Sequence, residues 1–371
     1  MELYEIRLYD HSGTLISSLR RWNRFEFHQR VSSPWNHQLT FEINEQDEMV
    51  DVLRDIKKDY FILGIRTDAL TGERNKVYEG FNQTIVDQMT KEGNLIFNLY
   101  GVGYTELIKR RIVLPPYGQE TSNKIGYSED VMKGFVYDSL VNAVDITRNF
   151  PDVTIGPSLS AGAYEDYSAR YTYLNTIVDN LAESGGLDYG IEGTDPPGQF
   201  VFHARTLWGE DRRFNNTAGN TPIIFDPRLH NMSIPIFSSN ASEEKNYAYI
   251  GGEGEGINRL IQTASDPAAI AESPWGRKEA FVDARRAGTV AELLTEGQAY
   301  LEENKATEKF TFNVRQTDPQ RWPRDWRLGD IITARYYNRI FDRKIVEIRV
   351  VVSAQGGADQ SELVEAEMEN V

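Results

Sequence analysis

The chain has 371 residues, 40% of them apolar, with 19 Tyr, 17 Phe and 6 Trp. That is enough to build cores and excludes wholesale disorder; at roughly 150 residues per domain it predicts two or three domains. There is no cysteine, so disulfides, thiolate catalysis and zinc–thiolate sites are excluded. The net charge of −16 disfavours specific nucleic-acid binding, which needs a basic footprint, and the largest basic cluster is Lys109-Arg110-Arg111.

No apolar run approaches the ~18 residues that span a bilayer. The start, Met1-Glu2-Leu3-Tyr4-Glu5-Ile6-Arg7, lacks the basic and apolar regions of a signal peptide, so synthesis in a cytoplasm without signal-dependent export is expected.

The first hundred residues read as β. Tyr4, Ile6 and Leu8 alternate with polar residues, as do Phe25 and Phe27, then Leu39, Phe41 and Ile43. Further strands are predicted at 60–66, 77–89 and 94–101, with a brief helix in 47–58. A helical exit over 104–111 ends at Pro115-Pro116. Short strands punctuated by turns indicate a barrel or sandwich.

The middle stretch differs and carries over half of the acidic excess. Ser128 is predicted to cap a helix whose apolar residues run from Val131 to Val144. A second helix carries Leu174, Ile177, Val178 and Leu181 and stops at Gly185-Gly186. A hairpin follows, with Leu187, Tyr189 and Ile191 on one arm and Phe200-Val201-Phe202 on the other. Residues 206–245 read as loops and short strands.

From Asn246 the pattern is regular again. Strands are predicted at 247–250, 280–284, 310–314, 331–336, 344–352 and 362–367. Thr289 and Glu292 form a capping box for a helix over 289–304. The division expected is 1–115 as a first barrel, 116–245 as an α+β middle domain that may return strands to that barrel, and 246–371 as a second barrel. Asn75-Lys76-Val77-Tyr78-Glu79 echoes Arg343-Lys344-Ile345-Val346-Glu347, as two related barrels would.

Motifs for chemistry are sparse. The glycine run 251–256 lacks the glycine of a dinucleotide fingerprint at Ile257 and the Gly-Lys-Ser/Thr of a phosphate loop. It reads as a strand crossing closely over backbone. Glu253 and Glu255 read as a solvated acidic face rather than a glycosidase pair. His11, His28, His37, His203 and His230 show no ligand spacing. Gly156-Pro157-Ser158-Leu159-Ser160 lacks the last glycine of a nucleophile elbow. Sequons at Asn82, Asn215, Asn231 and Asn240 read as chance. Tyr164, Tyr167, Tyr171, Tyr173, Tyr189, Phe200 and Phe202 read as core or protein interface, with a sugar-stacking platform as the other reading. Asp330 reads as a turn residue. No catalytic, cofactor-binding or metal residue is assigned.

The order of segments resembles the hub proteins of bacteriophage baseplates and tail tips. The residues that carry the resemblance are 107–116, Gly251 to Gly256 with Arg259, 277–285 with the following helix, and Leu328-Gly329-Asp330 with its hairpin. The resemblance implies a mainly β fold with two tail-tube-like β-barrels, each with a flanking helix, plus an inserted α+β domain. It implies a non-enzymatic homotrimer whose six barrels continue the tail tube in a pseudo-sixfold ring. The implied partners are the distal tail ring, the tape-measure protein and fibre, spike or receptor-binding proteins, with genomic DNA passing through unbound. The implied location is the virion tail tip, after assembly in the host cytoplasm. Two alternatives stand beside it: a carbohydrate-binding or carbohydrate-cleaving β-protein of a phage tip or bacterial surface, and a hub of a contractile injection system or gene-transfer particle.

Overall fold

A computed structural model describes residues 3–150, 152–317, 320–355 and 358–370. Met1 and Glu2, read above for a leader, lie outside them, as does Val371. The fold is mainly β, with helices between the strands. Contacts group the chain into two compact units: residues up to Pro235 with Thr311–Glu369, and Ile236–Phe310.

In chain order the first unit opens with β1 (Tyr4–Tyr9), β2 (Leu15–Leu19), β3 (Trp22–Arg30), β4 (Asn36–Ile43), α1 (Met49–Arg54), β5 (Phe61–Thr67), β6 (Arg74–Met89), β7 (Leu95–Val102) and α2 (Glu106–Lys109). The middle stretch adds β8 (Ser122–Tyr127), α3 (Ser128–Val136), β9 (Val153–Ile155), β10 (Tyr164–Ala169), α4 (Leu174–Gly185), β11 (Asp188–Gly193), β12 (Phe200–Arg205) and β13 (Ile224–Phe225). The chain leaves along β14 (Met232–Asn240). The second unit holds β15 (Tyr247–Gly251), β16 (Ile261–Ser265), α5 (Pro267–Ala271), β17 (Glu279–Asp283) and α6 (Val290–Glu303). The return runs along β18 (Thr307–Val314) to β19 (Ile331–Tyr336), β20 (Arg339–Gln355) and β21 (Ala358–Asn370).

Among the described residues the largest sheet has the order β14-β18-β21-β20-β3-β4-β7-β6-β5-β1-β2, with β19 on β20 and β13 on β19. Its inner face is the aromatic row the alternation foretold: Phe25 and Phe27 are fully buried with centroids 4.9 Å apart, and Tyr78 lies edge-on to Phe25. Gly64 has no room for a side chain, since a Cβ there would meet the Phe25 ring at 3.0 Å.

The sheet curls until β21 returns beside β1. β2 pairs with β1 only from Ile6 onward. The Gln360 side-chain amide takes over at Tyr4, accepting from its N–H at 2.6 Å and donating to its C=O at 3.2 Å. Glu362 accepts from Arg66 at 2.7 Å, and these two side chains are 8% and 3% exposed.

The last sequence block does not fold as one stretch. β19–β21 join the first sheet, because Glu347–Ser353 of β20 lie antiparallel to Arg30–Arg24 of β3. β15–β17 form a separate three-stranded sheet. There Leu293 and Leu301 of α6 share a small core with Ala248, Ile250 and Ala264. Gly297 lets α6 approach, since a Cβ would sit 2.5 Å from Ile250. The capping box of Thr289 and Glu292 is formed.

The middle helices share one core with the first strands: Phe135, Leu140, Leu174, Ile177 and Phe202 pack with Phe61, Phe81 and Tyr104. That shared core is why the middle stretch groups with the first strands. α4 ends in a left-handed cap at Gly186, φ 60°. Ser128 begins α3 rather than capping it; Tyr127 is the cap residue, and the Ser128 hydroxyl donates to the Ala163 carbonyl at 3.0 Å.

Candidate functional site

β11 is an edge strand of the sheet β11-β12-β9, and an uncovered edge is open to pairing with any extended chain. Here its outward N–H groups are capped by side chains. Tyr189 donates to Ser32 Oγ and Ile191 to Thr105 Oγ1, each at 3.1 Å, and Gly193 donates to the Glu79 carboxylate at 3.2 Å. Two lysines hold its ends. Lys76 Nζ donates to the Gly193 carbonyl, and Lys344 Nζ donates to Asp188, each at 2.5 Å. These are the lysines of the internal echo, so the repeated motif anchors both ends of one strand.

A cleft of about 840 Å3 opens between β6, β11 and the segments 207–212 and 322–330. Glu79 and Tyr104 lie at its buried end, 4% and 1% exposed. Burial pushes the Glu79 carboxyl above its ordinary range, against the opposing pull of Lys76 at 2.6 Å. Burial likewise raises the Tyr104 hydroxyl, which has no hydrogen-bond partner among the described residues; nor has Asn75 Nδ2.

Opposite them Asp330 is 2% exposed and accepts the Glu210 and Arg327 N–H groups at 2.7 and 2.8 Å. Burial raises its carboxyl too. Asp330 therefore does more than turn the chain: it fastens the 205–212 segment beside Gly329, whose φ of 83° demands glycine. The sequence did not single out Tyr104; the echo at 75–79, Tyr189 and the Leu328-Gly329-Asp330 turn were the signals that touched this region.

The other singled-out residues are dispersed. His11 meets the Lys58 carbonyl, His37 meets the Tyr78 hydroxyl at 2.8 Å, and His203 lies 3.3 Å from Glu192. Among the described residues no cluster is suited to a metal ion. Ser158 donates to Asp130. Asn82 and Asn231 are 1% and 2% exposed. Glu253 and Glu255 are exposed, and Arg259 braces the glycine run by donating to the Gly251 and Gly252 carbonyls at 2.8 and 3.1 Å.

The aromatic set divides. Tyr189, Phe200 and Phe202 are core, Tyr167 packs edge-on to Phe135, and Tyr164, Tyr171 and Tyr173 are exposed.

Across β3, β20 and β21 the charged groups on the outward face of the large sheet are paired with one another. Arg349 donates to Glu26 at 2.8 Å and Glu365 at 2.6 Å, Arg30 donates to Glu347 at 2.8 Å, and Arg24 donates to Glu26 at 2.7 Å. Thr40 and Asn98 continue the row across β4 and β7 at 2.9 Å.

No curated protein matches the chain by sequence. Solved structures share its fold end to end. The tail protein from Neisseria meningitidis MC58 is 12% identical with a TM-score of 0.60, covering 99% of this chain and 96% of that one. The 43 kDa tail protein of prophage MuSo2 from Shewanella oneidensis is 12% identical with a TM-score of 0.61, covering 99% and 98%. Prophage tail protein gp18 from Listeria monocytogenes EGD-e is 11% identical with a TM-score of 0.54, covering 98% and 94%. By sequence, residues 5–363 match the Siphovirus ReqiPepy6 Gp37-like protein family, and the chain belongs to it.

Proposed function

We propose that this protein is a structural component of a phage tail, the hub at its tip or baseplate. In this reading three copies form a ring with pseudo-sixfold symmetry. Each copy gives two tube-like barrels, drawn from the strands of the large sheet. The ring continues the tail tube, meets the distal tail ring and the tape-measure protein, and carries fibre, spike or receptor-binding proteins. The particle is put together in the host cytoplasm.

The observation that carries the reading is the self-paired outer face of the large sheet. A conduit for DNA must offer polar groups without offering free cations, because each unpaired Lys or Arg that neutralises a phosphate adds affinity. Here Arg24, Arg30 and Arg349 are each committed to a carboxylate on the same face. A net charge of −16 adds repulsion. The shared fold of the Neisseria, Shewanella and Listeria tail proteins supports the same reading. We assign no catalytic residue and no cofactor.

Mass photometry and particle imaging test it. The expected species is a trimer, with a ring lumen of net negative potential. A stable monomer at every concentration, with no ring in intact particles, overturns it.

A further inference from the structure

We propose that the cleft between β6 and β11 is a binding site for a neutral, hydroxyl-rich oligosaccharide. Its volume of about 840 Å3 falls within the roughly 300–1,000 Å3 typical of small-molecule sites. The argument rests on what the cleft leaves unsatisfied. Buried polar groups are almost always hydrogen-bonded, because an unmet one costs free energy. Tyr104 Oη is 1% exposed and unmet, and Asn75 Nδ2 is unmet on the same wall, among the described residues. Arg212 Nε, the third unmet atom of the lining, faces the Asp330 carboxylate at 3.3 Å; Tyr104 and Asn75 are uncharged donors, and the tyrosine also accepts, which suits a sugar hydroxyl.

The cations that line the cleft have partners: Arg30 pairs with Glu347 at 2.8 Å, and Arg327 donates to the Pro323 carbonyl at 3.2 Å. Lys76 pairs with Glu79 at 2.6 Å, Arg205 with Glu192 at 3.0 Å, Arg212 with Glu210 at 2.7 Å and Arg324 with Asp325 at 2.8 Å. A charged ligand would have to break such pairs. A peptide strand is disfavoured as well. The N–H groups of β11 that it would need are already taken by Ser32, Thr105 and Glu79. Trp35 supplies a half-buried aromatic surface to the same cleft, fit for the C–H face of a sugar ring.

Calorimetric titration of the intact chain with cellotriose, maltotriose, mannotriose and chitotriose is the test. At least one of these should bind saturably, one per chain, at millimolar concentration or below. Tyr104→Phe removes only an unpartnered hydroxyl, so it should not lower the urea midpoint. It should weaken binding about threefold to tenfold, as one lost hydrogen bond would. Asn75→Ala should weaken binding to a similar degree. Absence of binding by all four sugars overturns the proposal, and so does binding indifferent to both substitutions. Binding of inorganic phosphate or of an N-acetylmuramic acid trisaccharide in preference to the neutral sugars overturns it too.

Discussion

His37 on β4 is 3% exposed, bonded to the Tyr78 hydroxyl on one side and unmet at Nε2 among the described residues. Burial alone holds its pKa down to about 3. The unfolded chain takes a proton near the ordinary value of about 6.5, while the folded chain refuses it until about 3. Stability from this residue is therefore complete above about pH 6.5 and drains away as the pH falls toward 3. Between pH 7 and pH 5 the loss should be about 2 kcal/mol, and His37→Gln should abolish that share. Urea titrations of both proteins at the two pH values check it; equal pH slopes would refute the buried, neutral histidine. This residue was legible in the sequence only as one of five histidines without a partner. Tyr104 and Asn75 were not legible at all as a pair, because β6 and the turn after β7 are brought to one cleft by folding, not by spacing.

Elements defined by local pattern were readable, and those defined by distant pairing were not. The apolar spacing of α4, its glycine stop, the capping box of α6 and the hairpin of β11 with β12 follow from neighbours within a few residues. The union of β20 with β3 joins residues more than three hundred positions apart. Either strand would alternate equally well in a separate barrel, so the sequence leaves the partner open.

The meeting of β21 with β1 is the sharpest case, because it uses side chains where a ladder would use backbone. Arg66 and Glu362 form its buried pair. Glu362→Ala strands a guanidinium away from water and should cost about 3–5 kcal/mol, whereas Arg66→Met with Glu362→Leu should cost far less. A double-mutant cycle by urea unfolding decides between a stapled seam and a decorative one: costs of the two single changes that simply add would show that the pair does not couple. At the α4 stop the neighbourhood is empty, so Gly186→Ala should cost only the backbone strain of φ 60°, about 1 kcal/mol.

At the scale of the whole molecule, the proposed DNA conduit asks the same thing of the large negative charge and of the self-paired sheet face, by different means. Net charge acts at long range and is screened over about 8–10 Å at physiological salt. The pairing on β3, β20 and β21 acts at contact, where a phosphate would otherwise find Arg24, Arg30 and Arg349. The two contributions are separable. Replacing Glu26, Glu347 and Glu365 by Gln leaves the chain strongly acidic but frees the three guanidiniums. If contact pairing is what refuses DNA, this variant should retain a short duplex at low salt. Its affinity should fall with rising salt at a log–log slope of about −2 to −3, as up to three phosphate contacts would give. The unaltered protein should retain none under the same conditions. Fluorescence anisotropy on both proteins across a salt series reads the difference. A variant that stays as indifferent to DNA as its parent would mean that net charge alone suffices. Binding by the parent would mean that this face does not line a DNA conduit.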